Sequence, residues 1–326
     1  MRSPFDRGIF TLSLDFELIW GSRDLFEDPR ELEAQALVTR SQIFEPLVAM
    51  LESNGITATW ATVGHLFLAD AQRSCGVLHP EIIPPKHRWR VAPWFDGVPD
   101  GSEESHPAWY GRSLIRRLQA AGQDIGSHSF SHPIFGDAGC SAAAADTDLA
   151  RCVAAAEEVG VTLRSFVFPR NQAGHVPLLA KHGFTCWRSP EPVWYRHPGV
   201  PAAASRAAHF AEVAVARTPP TVLPFRGPGG LWCIPASGSF LPSDGIRGQI
   251  PLRRRTRRAT SGIDRAARDR RLSHFWLHPI NLTSAPERQL RAIRHIVEHA
   301  ARLRDRGQLE ILSMAAVAER ATEATA

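Results

Sequence analysis

The chain has 326 residues, of which 44% are hydrophobic and 22% are charged. This composition is that of an ordinary globular protein, so extensive disorder is excluded and a sizeable buried core is expected. The formal net charge is +5, and nearly all of the basic residues are arginines, because only Lys86 and Lys181 are lysines. A coding preference for arginine explains this bias most simply, and an anionic partner is the alternative.

The first predicted element is a strand over residues 9–19. Strict alternation places Ser13, Asp15 and Glu17 on one face and large apolar side chains on the other face. An apolar face covered by helices, with polar groups at one end of the opposite face, is typical of a parallel barrel strand.

The rest of the chain alternates predicted helices with predicted strands. Helices are expected over 31–54, 113–121, 142–159, 176–182 and 286–306, and strands over 56–64, 124–127, 164–168, 184–187, 274–277 and 309–312. The arginine-rich segment 253–271 is expected to be partly helical. Residues 76–110 and 189–251 are expected to be irregular insertions. The last strand is expected to be followed by a short helix and a loose tail, 315–326. The alternation predicts parallel βα units in one α/β domain, 1–326, with a core over about 9–312.

Asp15 and Glu17 form the first candidate site. Two carboxylates on one inner face raise each other's pKa unless a positive charge lies beside them. A bound cation would supply that charge. The alternative is a pair of ordinary acids at a strand end, neutralised by arginine.

His128 and His132 follow the predicted strand 124–127. Two histidines four residues apart can meet on one side of a single helical turn, which is a spacing found in metal chelates. Pro133 would end that turn. Ser129 stands where a metalloprotease HExxH motif has its catalytic glutamate, so that class is excluded. Two surface histidines in a loop are the alternative.

Two further polar sets follow predicted strands, at 168–171 and 276–279. Arg170 offers a fixed charge, and His278 is a candidate acid or base near neutral pH. Each set alone is also typical of a structural turn. Polar sets at the carboxyl ends of four parallel strands, however, have the layout of a barrel active site. P-loop, dinucleotide-binding and GxSxG hydrolase motifs do not occur.

Together these motifs resemble those of the polysaccharide deacetylase (NodB-homology) family of carbohydrate esterases. His128–His132 matches the family's H[ST]xxH motif in full. LDFE at 14–17 resembles its acid pair, with Glu17 in place of the usual second aspartate and one residue inserted. ATWATVG at 58–64 resembles its ATFF-x-x-G strand, and Leu277-His278 resembles its last motif.

Two motifs of the family depart further from the expected pattern. Residues 168–171 resemble the arginine loop, but Arg170 is displaced within it. The fourth motif should carry an aspartate near tryptophan, and the segment 187–194 offers only Arg188 and Glu191 instead.

The resemblance implies a distorted (β/α) barrel that removes an N-acetyl group from an amino sugar or glycan, free or linked to a nucleotide or lipid carrier. It implies a divalent metal ion, expected to be Zn²⁺, on Glu17, His128 and His132. Asp15 would be the general base, His278 the proton donor, and Arg170 would keep Asp15 ionised. The expected substrate-binding residues are Trp20, Phe168, Asn171, Trp187 and Trp276.

Three other functions are compatible with parts of the sequence. A related C–N hydrolase would act on a ureide or cyclic amide, and a glycosidase would use Asp15 and Glu17 as its acid pair. A non-catalytic binder of sugar or nucleic acid would use the run Arg253–Arg258, although we expect no nucleic-acid partner. That run is interpreted as a solvated basic segment, with contact to a substrate phosphate as the alternative.

The expected location is the cytoplasm. Asp15 and Glu17 interrupt the only apolar run near the start, so a secretory segment is not predicted there. Five cysteines without a CxxC pair argue against a disulfide framework or a structural zinc knuckle. A stretch of 18 apolar residues is absent, so a membrane span is not expected.

Overall fold

The computed structural model describes residues 3–24, 29–197, 199–241, 243 and 245–325. A curled, mostly parallel sheet lies at its centre, and helices cover the outer face. The strands are β1 (Gly8–Phe16), β2 (Thr59–Thr62), β3 (Asp70–Ala71), β4 (Gly101–Ser102), β5 (Asp124–Ser127), β6 (Ser165–Val167), β7 (Cys186–Ser189), β8 (Phe225–Arg226), β9 (Trp232–Pro235), β10 (Gly238–Ser239), β11 (Leu272–Leu277) and β12 (Leu309–Ile311).

The helices include all of those predicted, together with α6, which lies in the segment 189–251. They are α1 (Pro29–Val38), α2 (Glu45–Ser53), α3 (Arg112–Ala120), α4 (Ala142–Glu157), α5 (Val176–Lys181), α6 (Ala202–Ala214), α7 (Leu252–Asp269), α8 (Pro286–Asp305) and α9 (Met314–Glu323). A π-helical stretch, Thr39–Phe44, joins α1 to α2, so the predicted helix over 31–54 is continuous.

The strands of the main sheet follow the order β10-β11-β1-β2-β5-β6-β7-β9-β8, with β12 also paired to β1. All of these pairs are parallel except β8 with β9. The segment between β9 and β10 bridges two strands, because Ala236 donates to the carbonyl of Ser189 (2.9 Å) and Ser237 to that of His274 (2.7 Å). The sheet therefore curls into the predicted distorted barrel, and β3 and β4 form a separate small ribbon.

The central strand β1 sets the position of the site. All nine of its residues are buried. Its outward Phe16 packs against Phe44 and Trp60, with ring centroids 5.5 and 5.4 Å apart. The alternate residues Ser13 and Asp15 face inward, as predicted. Since the neighbouring strands are parallel, their carboxyl ends meet at the same edge of the sheet as Asp15.

Two predictions about irregular segments were wrong. The segment 189–251 contains α6 and the buried sheet strand β9, which ends in Pro235, a residue that usually argues against a central strand. The expected loose tail is the helix α9, which buries Val317 and Ala321 and packs against β7 and β9. Ala326 lies outside the described residues. Residues 76–110 are irregular apart from β4, as predicted.

The view of the run Arg253–Arg258 as a solvated segment was wrong for its inward face. Arg255 donates to the Leu241 carbonyl (2.8 Å) and Ser243 Oγ (3.1 Å). Arg258 is buried and lies 3.6 Å from the Glu212 carboxylate of α6. These arginines anchor the 189–251 insertion to α7.

None of the described helices is long and apolar enough to cross a membrane.

Gly8 offers a test of how tightly α7 packs on β1. A Cβ there would lie 2.4 Å from the Ala266 carbonyl oxygen and 2.6 Å from Ala267 Cα, both backbone atoms. We expect Gly8→Ala to lower the free energy of unfolding by about 1–3 kcal/mol, measured by urea denaturation. Gly199→Ala is the control, since its nearest atom would be 3.5 Å away. Equal stabilities of the two variants would contradict close packing at this contact.

Candidate active site

The carboxyl ends of the central strands surround a cavity of about 320 Å³. It contains most of the polar residues singled out from the sequence. Its walls are formed by Asp15, Glu17, Gly21, Ser22, His132, Arg170, Asn171, His278, Ile280 and Asn281.

Glu17 lies at the centre of a buried group of imidazoles. Its Oε1 is 3.0 Å from His128 Nε2 and 3.6 Å from His132 Nε2. His128 Nδ1 donates to the carbonyl of Val167 at 2.7 Å. That bond orients the ring so that Nε2 faces Glu17, an arrangement found in metal-binding histidines.

The donor atoms fit a divalent metal ion. Glu17, His128 and His132 can place one ligand atom each within 4.8 Å of one another. His132 Nε2 is buried and has no hydrogen-bond partner. A buried polar atom without a partner is costly, and a metal ion would satisfy it. Two imidazoles and one carboxylate form a typical ligand set for zinc with an open coordination position.

The loop that carries both histidines is not the helical turn that we predicted. Ser129 and His132 have φ angles of 66° and 64°, in the left-handed region. Asp148 of α4 holds the loop in place, because its carboxylate accepts bonds from the backbone of Phe130 (2.7 Å) and Ser131 (3.0 Å) and from Ser131 Oγ (2.7 Å). Burial raises the pKa of Asp148 to about 6, although these bonds oppose the shift. The histidine rings still meet, with centroids 5.0 Å apart.

Asp15 is held by Arg188, which comes from β7. The guanidinium donates to both carboxylate oxygens at 2.6 Å. It also donates to Ser13 Oγ (3.0 Å) and Asn171 Oδ1 (3.1 Å) and lies 4.4 Å from the ring centroid of Trp276. Arginine in this two-pronged geometry fixes both the charge and the orientation of a carboxylate.

Electrostatics keep both carboxylates ionised. Burial raises the pKa of Asp15, but the charges of Arg188 and His278 outweigh burial, and the net pKa lies below its usual value. Burial also opposes ionisation of Glu17, yet the charge of His278 and the neighbouring imidazoles of His128 and His132 hold its pKa well below the usual range. His278 Nε2 lies 3.6 Å from Asp15 Oδ2 and 3.5 Å from Glu17 Oε1.

The prediction that Arg170 keeps Asp15 ionised was wrong, because Arg188 is the arginine beside that carboxylate. Arg170 donates instead to Asp24 Oδ2 at 2.6 Å, and its guanidinium lies 5.2 Å from the ring centroid of Trp89. Its backbone has a positive φ of 52°. Arg170 therefore forms part of the cavity wall. The residue that holds Asp15 in place is Arg188.

Only one of the expected substrate-binding residues lies at the cavity. Asn171 reaches the cavity wall, whereas the aromatic members of the set pack in the core. Those buried aromatic residues are Trp20, Phe168, Trp187 and Trp276. The resemblance implied that these residues bind substrate, but each of them is buried.

Residues that the sequence did not assign a role support the site from behind. Arg188 and Asp148 are the main ones. His274 is another, because its Nε2 lies 2.9 Å from Ser13 Oγ. Burial, assisted by the charge of Arg188, lowers the pKa of His274 to about 3, so it is neutral. A charged residue inside a short apolar strand, as in Cys186-Trp-Arg-Ser189, is the signal that could have identified Arg188.

Residues 34–187 match the family model described as polysaccharide deacetylase. The match confirms the resemblance over a segment that includes both metal-site histidines, while Asp15, Glu17, Arg188 and His278 lie outside it. No curated protein sequence matches the chain.

Solved structures support the fold across the whole chain. A protein from Mycobacterium smegmatis assigned as a polysaccharide deacetylase has a TM-score of 0.62 at 15% identity, covering 99% of this chain and 94% of that chain. One with the same assignment from Pseudomonas aeruginosa PAO1 has 0.61 at 10% identity, with coverages of 97% and 91%. The Puue allantoinase has 0.59 at 12% identity, with coverages of 96% and 89%. At these identities the similarity shows the fold and not the reaction.

Gly21 offers a direct test of the position of Glu17. A Cβ at Gly21 would lie 1.5 Å from Glu17 Oε2, so the carboxylate would have to move away from the histidines. We expect Gly21→Ala to keep the fold and to weaken zinc binding at least about tenfold, measured by calorimetric titration beside thermal unfolding. Gly199→Ala serves as the control. Unchanged zinc affinity in Gly21→Ala would contradict the assignment of Glu17 as a ligand.

Proposed function

We propose that the protein is a metal-dependent hydrolase that removes an N-acetyl group from an amino sugar or glycan. The observation that carries the proposal is the buried set of Glu17, His128 and His132 directly beside an arginine-held Asp15. Of these four residues, Asp15, Glu17 and His132 line the cavity. The family match over 34–187 supports the deacetylase reaction class.

Glu17, His128 and His132 would hold the metal ion, and we propose Zn²⁺ from the nature of the donors. When bound there, such an ion lowers the pKa of a coordinated water and polarises the carbonyl of the acetamide. The remaining chemistry falls to Asp15 and His278.

Asp15 is the general base of the proposed reaction. Arg188 bonds both carboxylate oxygens, but each oxygen keeps a second lone pair that can accept the proton of the attacking water. The lowered pKa of Asp15 ensures that it is ionised at neutral pH. Arg188 therefore acts as a positioning residue, because it orients the base and holds it charged.

His278 is the proton donor to the departing amine. Its side chain is 26% exposed, so it reaches the cavity, whereas the carboxylates beside it are almost fully buried. Asn281 Nδ2 lies 3.4 Å from His278 Nδ1, and Nε2 is the ring nitrogen nearest Asp15 and Glu17. A proton on Nε2 can pass to the leaving nitrogen.

Two other reactions were weighed against this proposal. A glycosidase needs one carboxylic acid with a raised pKa, and the pKa values of Asp15 and Glu17 are both lowered. Cyclic-amide hydrolysis is the second candidate, because the fold is nearly as similar to an allantoinase as to the deacetylases. Release of acetate supports deacetylation, and a ring-opened product without acetate would support the second candidate.

The cytoplasmic location expected from the sequence stays a proposal. Fractionation of cells that express the native protein would check it, and efficient export would contradict it.

Substitution of the two acids separates their roles. Asp15→Asn should keep metal binding and lose at least about 100-fold in turnover, because an amide cannot accept the proton. Glu17→Gln should weaken the metal at least about tenfold, because a neutral amide is a poor ligand. Zinc titration and acetate-release rates measure both. If Asp15→Asn loses the metal while Glu17→Gln retains it, the roles are reversed.

The two arginines at the site should differ in their kinetic effects. Arg188→Lys keeps a charge but loses the two-pronged bond, so we expect kcat to fall about tenfold or more. The pKa of Asp15 should rise, which moves the acidic limb of the pH–rate profile to higher pH. Arg170→Gln should raise KM and leave that limb in place. An unshifted limb in Arg188→Lys would show that Arg188 does not tune the base.

A further inference from the structure

A groove between α7 and α8 is strongly basic. It encloses about 550 Å³ and is lined by one side of each helix. The residues of α7 are Leu252, Arg253, Thr256, Arg257 and Thr260, and those of α8 are Arg288, Arg291, Ala292 and His295. On both helices the polar members recur at intervals of three and four residues, which places them on one face.

The positive charge of this groove is almost unopposed. No acidic side chain is among the residues that line it. Arg291 lies 3.6 Å from Glu287, but both side chains are exposed, so the pair is weak. Among the described residues, no ion pair involves Arg253, Arg257 or Arg288. Neighbouring guanidinium groups repel one another, so the groove favours an anionic ligand.

The helix α7 divides its arginines between two tasks. Arg255 and Arg258 point inward and anchor the insertion, and Arg254 donates to the Ala214 carbonyl at 2.6 Å. Arg253 and Arg257 are exposed on the other face and make no such bond. The structure thus accounts for the inward arginines by local bonding and leaves the outward ones available to a ligand.

The groove lies at the same end of the barrel as the candidate active site. Both helices run back from the carboxyl edge of the sheet, so their first turns lie near that edge. Gln289, beside Arg288, donates to the carbonyl of Asn281 (3.4 Å) and to Ser284 Oγ (2.9 Å). Asn281 lines the active-site cavity. The start of α8 is therefore bonded to the wall of the catalytic cavity.

We propose that this groove binds the diphosphate of a carrier-linked sugar. Phosphate groups carry about one to two negative charges each near neutral pH, which suits a groove with four arginines. Guanidinium groups bind phosphate oxygens in pairs, and the hydroxyls of Thr256 and Thr260 add donors. The assignment to a sugar carrier rests on the proposed deacetylase function, whereas phosphate binding does not.

Calorimetric titration with inorganic pyrophosphate tests the groove itself. The double variant Arg257→Gln/Arg288→Gln should lose at least about tenfold in affinity, because two charge-assisted contacts are removed. The control is Arg206→Gln/Arg294→Gln, which removes two exposed arginines outside the groove and should stay within about twofold of the wild type. Absence of saturable binding, or an equal loss in both double variants, would overturn the proposal.

The metal site needs a separate control, because pyrophosphate is itself a metal ligand. The same titration is therefore repeated on the full chain carrying His128→Ala and His132→Ala. Binding that persists there and is still lost on adding Arg257→Gln/Arg288→Gln supports the groove. Binding that disappears with the histidines overturns it.

UDP and farnesyl diphosphate then separate the two sources of the phosphate. The one that binds more tightly than pyrophosphate, and loses that advantage in the groove variant, identifies a nucleotide or a lipid carrier.

Acetate-release assays add the link to catalysis, since the groove variant should raise KM at least about fivefold more for a diphosphate-linked sugar than for the free sugar. An equal change in both KM values would overturn the carrier assignment. Acetate release without pyrophosphate binding would overturn the groove alone, and the reverse result would overturn the deacetylase function alone.

Discussion

The buried ion pair between Asp15 and Arg188 is the constraint on which the rest of the site depends. Removing two charges from water costs several kcal/mol for each ion, so the pair is tolerable only with excellent geometry and further hydrogen bonds. Those bonds come from Ser13 on β1 and from Asn171 after β6, while the ring of Trp276 on β11 covers the guanidinium. The pair therefore requires β1, β6, β7 and β11 to keep fixed positions relative to one another. Loss of either partner would leave an uncompensated charge inside the barrel.

The loops around this pair carry strained backbone. Ser129, His132, Arg170 and Asn171 all have positive φ angles without being glycine. Such conformations cost about 1–3 kcal/mol each and persist only where surrounding contacts hold them. Here the contacts are visible, since Asp148 secures the histidine loop and Arg188 secures Asn171. These strained conformations orient the His132 imidazole and the Asn171 amide toward the cavity. The favourable free energy of the surrounding contacts offsets their cost.

Local patterns predicted the parts of the site that depend on neighbours in sequence. Alternation along β1 was sufficient to place Asp15 with Glu17, and the spacing of His128 and His132 was sufficient to bring their rings together. The partner of Asp15 depends instead on how far the sheet curls, because β1 and β7 are separated by three strands. Arg170 was the arginine that the motif resemblance indicated, but its side chain bonds to Asp24 instead. Alternation and motif spacing contain no information on that curl.

The spacing of the two acids follows from the core on the other side of β1. Phe16 packs against Phe44 and Trp60 and separates the two acids, so the second acid falls two residues after the first. The glutamate side chain brings its carboxylate to 3.0 Å from His128 Nε2. The absence of a side chain at Gly21 leaves room for it. The positions of Phe16, Glu17 and Gly21 therefore depend on one another. Changing any one of these residues would move the carboxylate that we propose as a metal ligand.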